Sequence, residues 1–231
     1  MANEEKTQKK SVEQKKSTES KKNKSTKSAQ KKSVSAKKKD FLQVVNKDFS
    51  KSFMRTVRDT LEIEGVFSDN EDDPGGKTKY GITESTARRA GYDGKMKDLS
   101  KDEAIAIYHE FYWNRYLQKI STEFYPIANE VFDTAVNAGP KTAVRFLQIS
   151  LNKFNNQETS YDDITVDGLI GPKTLSAFMD FKKDRGNSGC KVLYKALNCL
   201  QGAYYFNIEE KNEKLESFEY GWFLNRVKLE V

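Results

Sequence analysis

Carboxyl and hydroxyl side chains gather in one short stretch of this 231-residue sequence. Glu64 stands at the end of a helical pattern. Asp72 and Asp73 follow in a glycine-rich segment that leads to Thr83. Cleavage of a glycosidic bond needs one carboxyl group to protonate the leaving oxygen and a second polar group to place water or stabilise the cation. The types and spacing of these residues predict that chemistry.

The helix that must position Glu64 is marked by an apolar residue at every fourth place, and Asp48 is expected to cap its start. On a helical wheel Glu64 lies about 20° from two residues of this stripe, so its carboxyl faces the apolar side. Apolar neighbours and the negative end of the helix dipole both favour the protonated form that an acid catalyst requires. The stripe consists of Phe49, Phe53, Val57 and Leu61.

Each of these residues also has a purely structural interpretation. Glu64 could be a surface residue at a fraying helix end. Asp72 and Asp73 suit a turn through local hydrogen bonds, and Thr83 suits a strand or a helix cap. From the residues alone, either Asp72 or Asp73 could be the partner of Glu64.

Aromatic residues and the single histidine allow fewer kinds of chemistry. Tyr80, Tyr112 and Trp113 belong either to the core or to a platform on which sugar rings stack. His109 is the only histidine, which excludes a zinc site of the His-Glu-x-x-His type. We interpret His109 as a residue of the core or its rim.

The first 40 residues differ in composition from the rest of the chain. They hold 14 lysines against five acidic residues, a net charge of +9, whereas the whole chain carries +6. Such a segment buries too little apolar area to offset the entropy of ordering, so we predict a disordered tail. The tail is either a solvated extension or a cationic patch that contacts nucleic acid, lipopolysaccharide or teichoic acid.

Helical periodicity continues through the remainder of the chain, without sustained alternation of apolar and polar residues. We therefore predict a mainly α fold, a helical bundle with a short hairpin or loop after the Glu64 helix. Cys190 and Cys199 would lie on opposite faces of one helix, so no disulfide is expected between them. Helices are predicted from Ser100, from about Pro126, from Pro140 to about Leu151, from Pro172, and over 189–209 and 214–228.

Several stretches resemble, in order, the motifs of glycoside hydrolase family 108, a family of lysozyme-like muramidases with an N-terminal Glu-Gly-Gly-Tyr segment. Here that segment reads Glu64-Gly65-Val66-Phe67, and the family's Asp-Pro-Gly-Gly-x-Thr-x-Tyr-Gly-Ile-Thr run is present from Asp73 to Thr83. The resemblance covers roughly residues 50–228, ending in a part similar to the family's predicted peptidoglycan-binding segment. Its further motifs are Tyr112-Trp113, the run from Phe132 to Gly139, Leu147-Gln148, Asp167-Gly168, Gly171-Pro172, Tyr204-Tyr205, and Gly221-Trp222 with Arg226.

The resemblance implies a lysozyme-like α+β fold that hydrolyses the β-1,4 bond between N-acetylmuramic acid and N-acetylglucosamine, with no metal or organic cofactor. It implies that Glu64 is the catalytic glutamate, and an analogy with phage lysozymes adds Asp73 and Thr83. Beyond the tail (1–40), which lies outside the resemblance, we expect a catalytic domain (41–150) and a helical peptidoglycan-binding subdomain (151–231). The substrate-binding residues expected are Asp72, Tyr80, Tyr112, Trp113 and Asn137.

We therefore expect a monomer that acts on peptidoglycan glycan strands, as a phage endolysin or as a wall hydrolase that assists secretion. The chain has no stretch approaching the roughly 20 apolar residues of a membrane span. It also lacks the apolar core of a secretory signal, so we expect it in the cytoplasm of the bacterial host before release to the cell wall. Two other classes stay open. One is a non-catalytic peptidoglycan-binding or virion structural protein, favoured by Val66 beside the acid, and the other is a basic nucleic-acid-associated protein.

Deletion of residues 1–40 tests the role of the tail. If the tail only tethers the protein, hydrolysis of purified cell walls should stay largely intact, because the residues expected to carry the chemistry lie beyond it. Release of soluble wall fragments by the deleted and full-length chains is the measurement. Loss of hydrolysis on deletion would show that the tail takes part in the reaction.

Overall fold

A computed structural model of the protein describes residues 48–63 and 77–230. These residues fall into two compact units, a smaller one over 77–102 and a larger one over 48–63 and 103–230. The predicted mainly α class is confirmed, because one short hairpin is the only sheet in the described ranges. The predicted boundary at residue 150, between a catalytic domain and a peptidoglycan-binding subdomain, stays a prediction.

The smaller unit is built on an antiparallel hairpin. Strand β1 (Thr78–Lys79) pairs with β2 (Ile82–Thr83), in a register that places Thr78 opposite Thr83. Tyr80 and Gly81 connect the strands with φ angles of +53° and +70°. Two successive residues with positive φ are what a tight two-residue turn of the I′ type requires. The hairpin expected downstream of Glu64 is therefore present.

Helix α2 (Glu84–Ala90) follows β2 directly and ends at Gly91, whose φ of +97° suits a glycine after the last helical turn. A single 3-10 turn (Met96–Asp98) comes next. Apolar side chains from the hairpin, from α2 and from the segment after it form the small core of this unit. Its buried residues are Ile82, Ala87, Tyr92, Met96 and Leu99.

The larger unit is helical throughout. Within it α5 packs against α4, α6 and α7, so this helix is the centre of the bundle. None of the helices that the structure describes combines the length and the apolar character needed to cross a membrane. The helices are α1 (Lys51–Ile63), α3 (Lys101–Tyr112, which enters this unit at residue 103), α4 (Arg115–Glu123), α5 (Tyr125–Ala138), α6 (Pro140–Phe154), α7 (Pro172–Glu209) and α8 (Glu216–Arg226).

Phe53, Val57 and Leu61 of the predicted apolar stripe are buried in helix α1, whereas Phe49 lies before its first residue and is half-buried. The start of α1 differs from the prediction. The hydroxyl of Ser50 accepts a hydrogen bond from the Phe53 amide at 3.3 Å, so Ser50 takes the capping place that we assigned to Asp48. Since α1 begins at Lys51, Asp48 lies too far upstream to serve its first turn.

Two further helical features differ from the prediction. Helix α4 was not predicted, although the Asn114 side chain caps it by accepting from the amides of Tyr116 and Leu117 at 2.9 and 3.0 Å. Helix α7 runs through the two stretches predicted as separate helices. It is interrupted at Gly186, whose φ of +61° and ψ of −161° are not helical. This glycine permits a bend that a residue with a side chain would resist.

The segment between α6 and α7 is held by amide side chains on one face of α6. Gln148 donates to Asp167 Oδ1 at 2.8 Å and accepts from the Gly168 amide at 2.9 Å. Asn152 donates to the carbonyl of Ile164 and accepts from its amide. Backbone groups outside regular structure thus find partners in α6, which explains why the Leu147-Gln148 and Asp167-Gly168 motifs occur together.

Gly139 between α5 and α6 offers a test of backbone conformation. Its φ of +87° and ψ of +150° lie in a region that is essentially reserved for glycine, and an added Cβ would meet no atom within 4 Å. We expect Gly139→Ala to lower the free energy of unfolding by about 1–3 kcal/mol through backbone strain alone. Chemical denaturation is the measurement.

Gly171 supplies the matched control. It also precedes a proline-initiated helix and also has open space around its Cβ position, but its φ is −146°. Gly171→Ala should therefore leave the free energy of unfolding nearly unchanged. Equal effects of the two substitutions would contradict the assignment of strain to Gly139.

Candidate functional site

The predicted carboxyl groups lie outside the described residues. The description ends at Ile63, at the end of α1, and resumes at Lys77. Glu64, Asp72 and Asp73 fall in this gap, and their roles stay predictions. The elements on either side of the gap, α1 and the hairpin, belong to different compact units.

Thr83 and Tyr80 lie on the hairpin of the smaller unit. The Thr83 hydroxyl caps α2 by accepting from the Thr86 amide at 3.3 Å, and it donates to the Thr86 hydroxyl at 3.1 Å. The capping alternative for Thr83 is therefore present. If Thr83 also binds the predicted water, the same hydroxyl must both cap α2 and contact that water. Tyr80 is half-buried in the turn, and the Lys79 ammonium lies 5.3 Å from its ring centroid.

Trp113 lies in the core of the larger unit. Its exposed fraction is 3 %, and its ring centroid is 5.6 Å from that of Phe53 and 6.0 Å from that of Phe132. The indole N–H donates to Gln118 Oε1 at 2.9 Å, as a buried tryptophan requires. The structure thus gives Trp113 the core placement that the sequence left open as the alternative to a sugar platform.

Tyr112 and Asn137 are more accessible. Tyr112 is half-buried, with ring centroids of Tyr108 and Phe132 at 5.7 and 6.2 Å. Asn137 is exposed near the end of α5, where its side-chain amide donates to the Asp133 carbonyl at 2.8 Å. Their contacts with substrate stay predictions.

A cluster of small polar groups joins α1 to α4. The Gln118 amide donates to Ser52 Oγ at 3.2 Å, and Ser121 Oγ donates to the same hydroxyl at 3.1 Å. The side-chain oxygen of Gln118 accepts from the Ser50 hydroxyl and from the Trp113 indole N–H. This network and the buried apolar stripe hold α1 from both sides. The helix that leads to Glu64 in the chain is therefore firmly positioned within its own unit.

A buried carboxyl group lies in the centre of α5. Glu130 is 2 % exposed. Burial raises the pKa of Glu130 to about 8, and the nearby Asp133 carboxylate adds to the shift, while a hydrogen bond from Asn198 acts against it. The group is thus protonated at neutral pH. A perturbed carboxyl is a usual mark of an active site, yet a side chain this buried offers no access to a glycosidic oxygen.

Asp133, one turn along α5, forms an ion pair that links distant parts of the chain. Its carboxylate accepts from Arg226 on α8 at 2.9 Å and from Gln201 on α7 at 2.8 Å. Arg226 is only 8 % exposed. The Asp133 side chain is 25 % exposed, so solvent screens the pair in part, and loss of one partner should cost less than the about 3–5 kcal/mol of a fully buried pair. The C-terminal helix is thereby fastened to α5.

Sequence reasoning did not single out Glu130, although a signal was present. Glu130 lies three residues after Ile127 and four before Thr134, on the face of α5 that the structure buries. A glutamate in an apolar stripe marks a buried carboxyl. In the described residues, no group of three or more histidine, cysteine or acidic side chains is placed to hold a metal ion.

The comparisons with known proteins agree with this architecture. Residues 57–139 match the family model of glycosyl hydrolase 108, and residues 142–227 match the model of a predicted peptidoglycan domain. No curated protein matches the chain. The solved structure of Brucella abortus SagA is similar, with 28 % identity, a TM-score of 0.54, and coverage of 74 % of this chain and 86 % of that chain. The Asp133–Arg226 pair therefore joins the two matched regions.

Substitution of Glu130 tests the buried carboxyl. In the folded protein its pKa is about 8, against an ordinary value of 4.5, so the folded state holds a proton that the unfolded chain releases. The contribution of protonated Glu130 to the free energy of unfolding is fully present below about pH 4.5 and is lost as pH rises towards 8. Glu130→Gln removes the titration, and the stability gained should grow with pH, reaching about 3 kcal/mol near neutrality.

Urea denaturation of parent and variant at several pH values measures this difference. Glu110→Gln, at an exposed position of α3, is the control and should follow the parent at every pH. Parallel profiles for Glu130→Gln and the parent would show that Glu130 titrates near its ordinary value.

Proposed function

We propose a specific activity for this peptidoglycan hydrolase, on the premise that residues 57–139 match the glycosyl hydrolase 108 family model and residues 142–227 match a predicted peptidoglycan domain. The proposed reaction is that of a muramidase. It cleaves the β-1,4 bond between N-acetylmuramic acid and N-acetylglucosamine.

The proposal is carried by the family match, which includes Glu64 and the whole run from Asp73 to Thr83. Two described features are consistent with it. The helix that ends beside Glu64 is anchored on its apolar face and through its serines. The Tyr-Gly-Ile-Thr part of the run forms a tight hairpin whose Thr83 begins a helix.

In the proposed mechanism Glu64 donates a proton to the glycosidic oxygen as the bond breaks. Asp73, or as the second choice Asp72, stabilises the positive charge on the sugar or activates the attacking water. Thr83 helps to orient that water through its hydroxyl. Whether the reaction inverts or retains the anomeric configuration depends on the distance between the two carboxyl groups. A long distance leaves room for the attacking water, and a short one favours a covalent intermediate.

The biological setting is proposed on the same basis. The protein is made in the cytoplasm of a bacterial host and acts after release to the cell wall, either as a phage endolysin or as a hydrolase that opens the wall for secretion. The genes beside its own distinguish these settings, since holin and tail genes accompany the first and secretion genes the second.

Glu64→Gln on purified sacculi tests the proposed mechanism. Because a general acid contributes about 100-fold to 10,000-fold to a rate, the variant should lose at least about 100-fold in the release of muropeptides. Mass spectrometry of the parent's products should show new reducing ends on muramic acid. Glu110→Gln, in the same matched region but exposed on α3, is the control and should retain the parent's activity.

Two outcomes would contradict the proposal. Activity of Glu64→Gln within a few-fold of the parent would remove Glu64 from the mechanism. A parent protein that binds sacculi without releasing reducing sugar would instead identify a non-catalytic peptidoglycan-binding protein.

A further inference from the structure

A cleft of about 490 Å³ lies in the smaller unit, beside the hairpin that carries Thr83. It falls within the usual range of ligand sites. Thr83 caps α2, and Glu84, the first residue of that helix, lines the cleft. The charged residues of its wall are Lys77, Glu84, Arg88, Asp93, Lys95 and Lys97.

Among the described residues of this wall, the positive charges outnumber the negative ones. Arg88 and Glu84 form an ion pair with an N–O distance of 2.5 Å, so their charges offset one another. Among the other described residues of the wall, Lys77, Lys95 and Lys97 outnumber Asp93, and all three lysines are exposed. The described part of the cleft therefore presents an excess of ammonium groups, in the segment of chain that follows the proposed catalytic carboxyls.

The backbone that bears Lys95 and Lys97 is held in place. The Tyr92 hydroxyl donates to the Lys95 carbonyl at 2.9 Å, and the Lys79 ammonium donates to the Lys97 carbonyl at 2.6 Å. Arg88 donates to the carbonyl of Gly94 at 2.7 Å. A Cβ at Gly94 would lie 2.4 Å from the Tyr92 hydroxyl, so the close approach needs glycine. The loop is thus ordered before any ligand arrives, which lowers the entropic cost of binding.

We propose that this cleft binds the carboxylates of the peptide stems carried by muramic acid. The inference rests on the proposed function, because it takes the substrate to be peptidoglycan. Stem peptides carry free carboxylates at regular intervals along the glycan strand, and exposed ammonium groups attract such anions and raise the rate of encounter. The cleft therefore acts as a specificity subsite, distinct from the residues that break the bond.

A double substitution, Lys95→Gln with Lys97→Gln, tests the subsite. It removes two charges and keeps the carbonyls that receive the bonds from Tyr92 and Lys79. On intact sacculi the half-saturating substrate concentration should rise about tenfold with kcat retained, since each exposed contact contributes a few-fold. On glycan strands stripped of their stems by an amidase, parent and variant should behave alike. High salt should reduce the difference on intact sacculi.

Lys119→Gln with Lys191→Gln is the matched control, because both lysines are exposed on helices of the larger unit and do not line the cleft. It should follow the parent on both substrates. A second arm uses sacculi freed of teichoic acid phosphates, on which the effect of the cleft variant should persist. Its disappearance there would assign the cleft to wall phosphate and overturn the proposal, as would an equal effect of both double variants.

Binding of a soluble stem peptide, followed by calorimetry, separates this inference from the proposed function. The parent should bind the peptide, and the cleft variant should bind it about tenfold more weakly. This readout needs no hydrolysis. A parent that binds the peptide but cleaves no glycan would contradict the proposed reaction alone, and an active parent that binds no peptide would contradict the subsite alone.

Discussion

Aromatic packing around Phe132 is the contact on which the larger unit depends. This α5 side chain is fully buried, and its ring lies about 6 Å from those of Phe53 on α1, Tyr108 on α3 and Trp113 after α3. Each such pair contributes about 0.5–1.5 kcal/mol beyond the area that it buries. A helix of 13 residues such as α1 is marginal by itself in water. Its order comes from this cluster, and so does the position from which the chain continues to Glu64.

Burial of polar groups sets a second constraint, because each one needs a partner inside the protein. Gln148 hydrogen-bonds to Asp167 and to the Gly168 amide in the segment between α6 and α7, and the Asp133 carboxylate accepts from Arg226. The Asp133–Arg226 pair also connects the two matched regions, at residues that both lie in the larger unit. Arg226, which the sequence assigned to a peptidoglycan-binding motif, is used here as an internal ion-pair partner. A residue of a family motif can thus serve packing inside the fold.

The helices with strong periodicity or clear end signals could be predicted, and those that depend on distant contacts could not. The stripe of α1, the proline starts of α6 and α7 and the hairpin all follow from local rules. Helix α4 escaped prediction although Asn114 caps it, because its buried residues are few and its polar face includes Gln118, which bonds to α1. The sequence predicts one helix from Pro172 and another over 189–209, where the structure has α7 with an interruption at Gly186. Of the site, Thr83 and Tyr80 were found in the hairpin, while Trp113 was found in the core.

The sequence by itself determined the helical class, the hairpin and the order of motifs, since these depend on residues near one another in the chain. Only the tertiary structure decided which polar residues are internal. Glu130 is neutral because α7 and its own helix exclude water from it, and Arg226 is buried because Asp133, 93 residues away along the chain, neutralises it. A carboxyl group's environment is the sum of charges and solvent around it. Folding brings most of those neighbours from distant parts of the sequence.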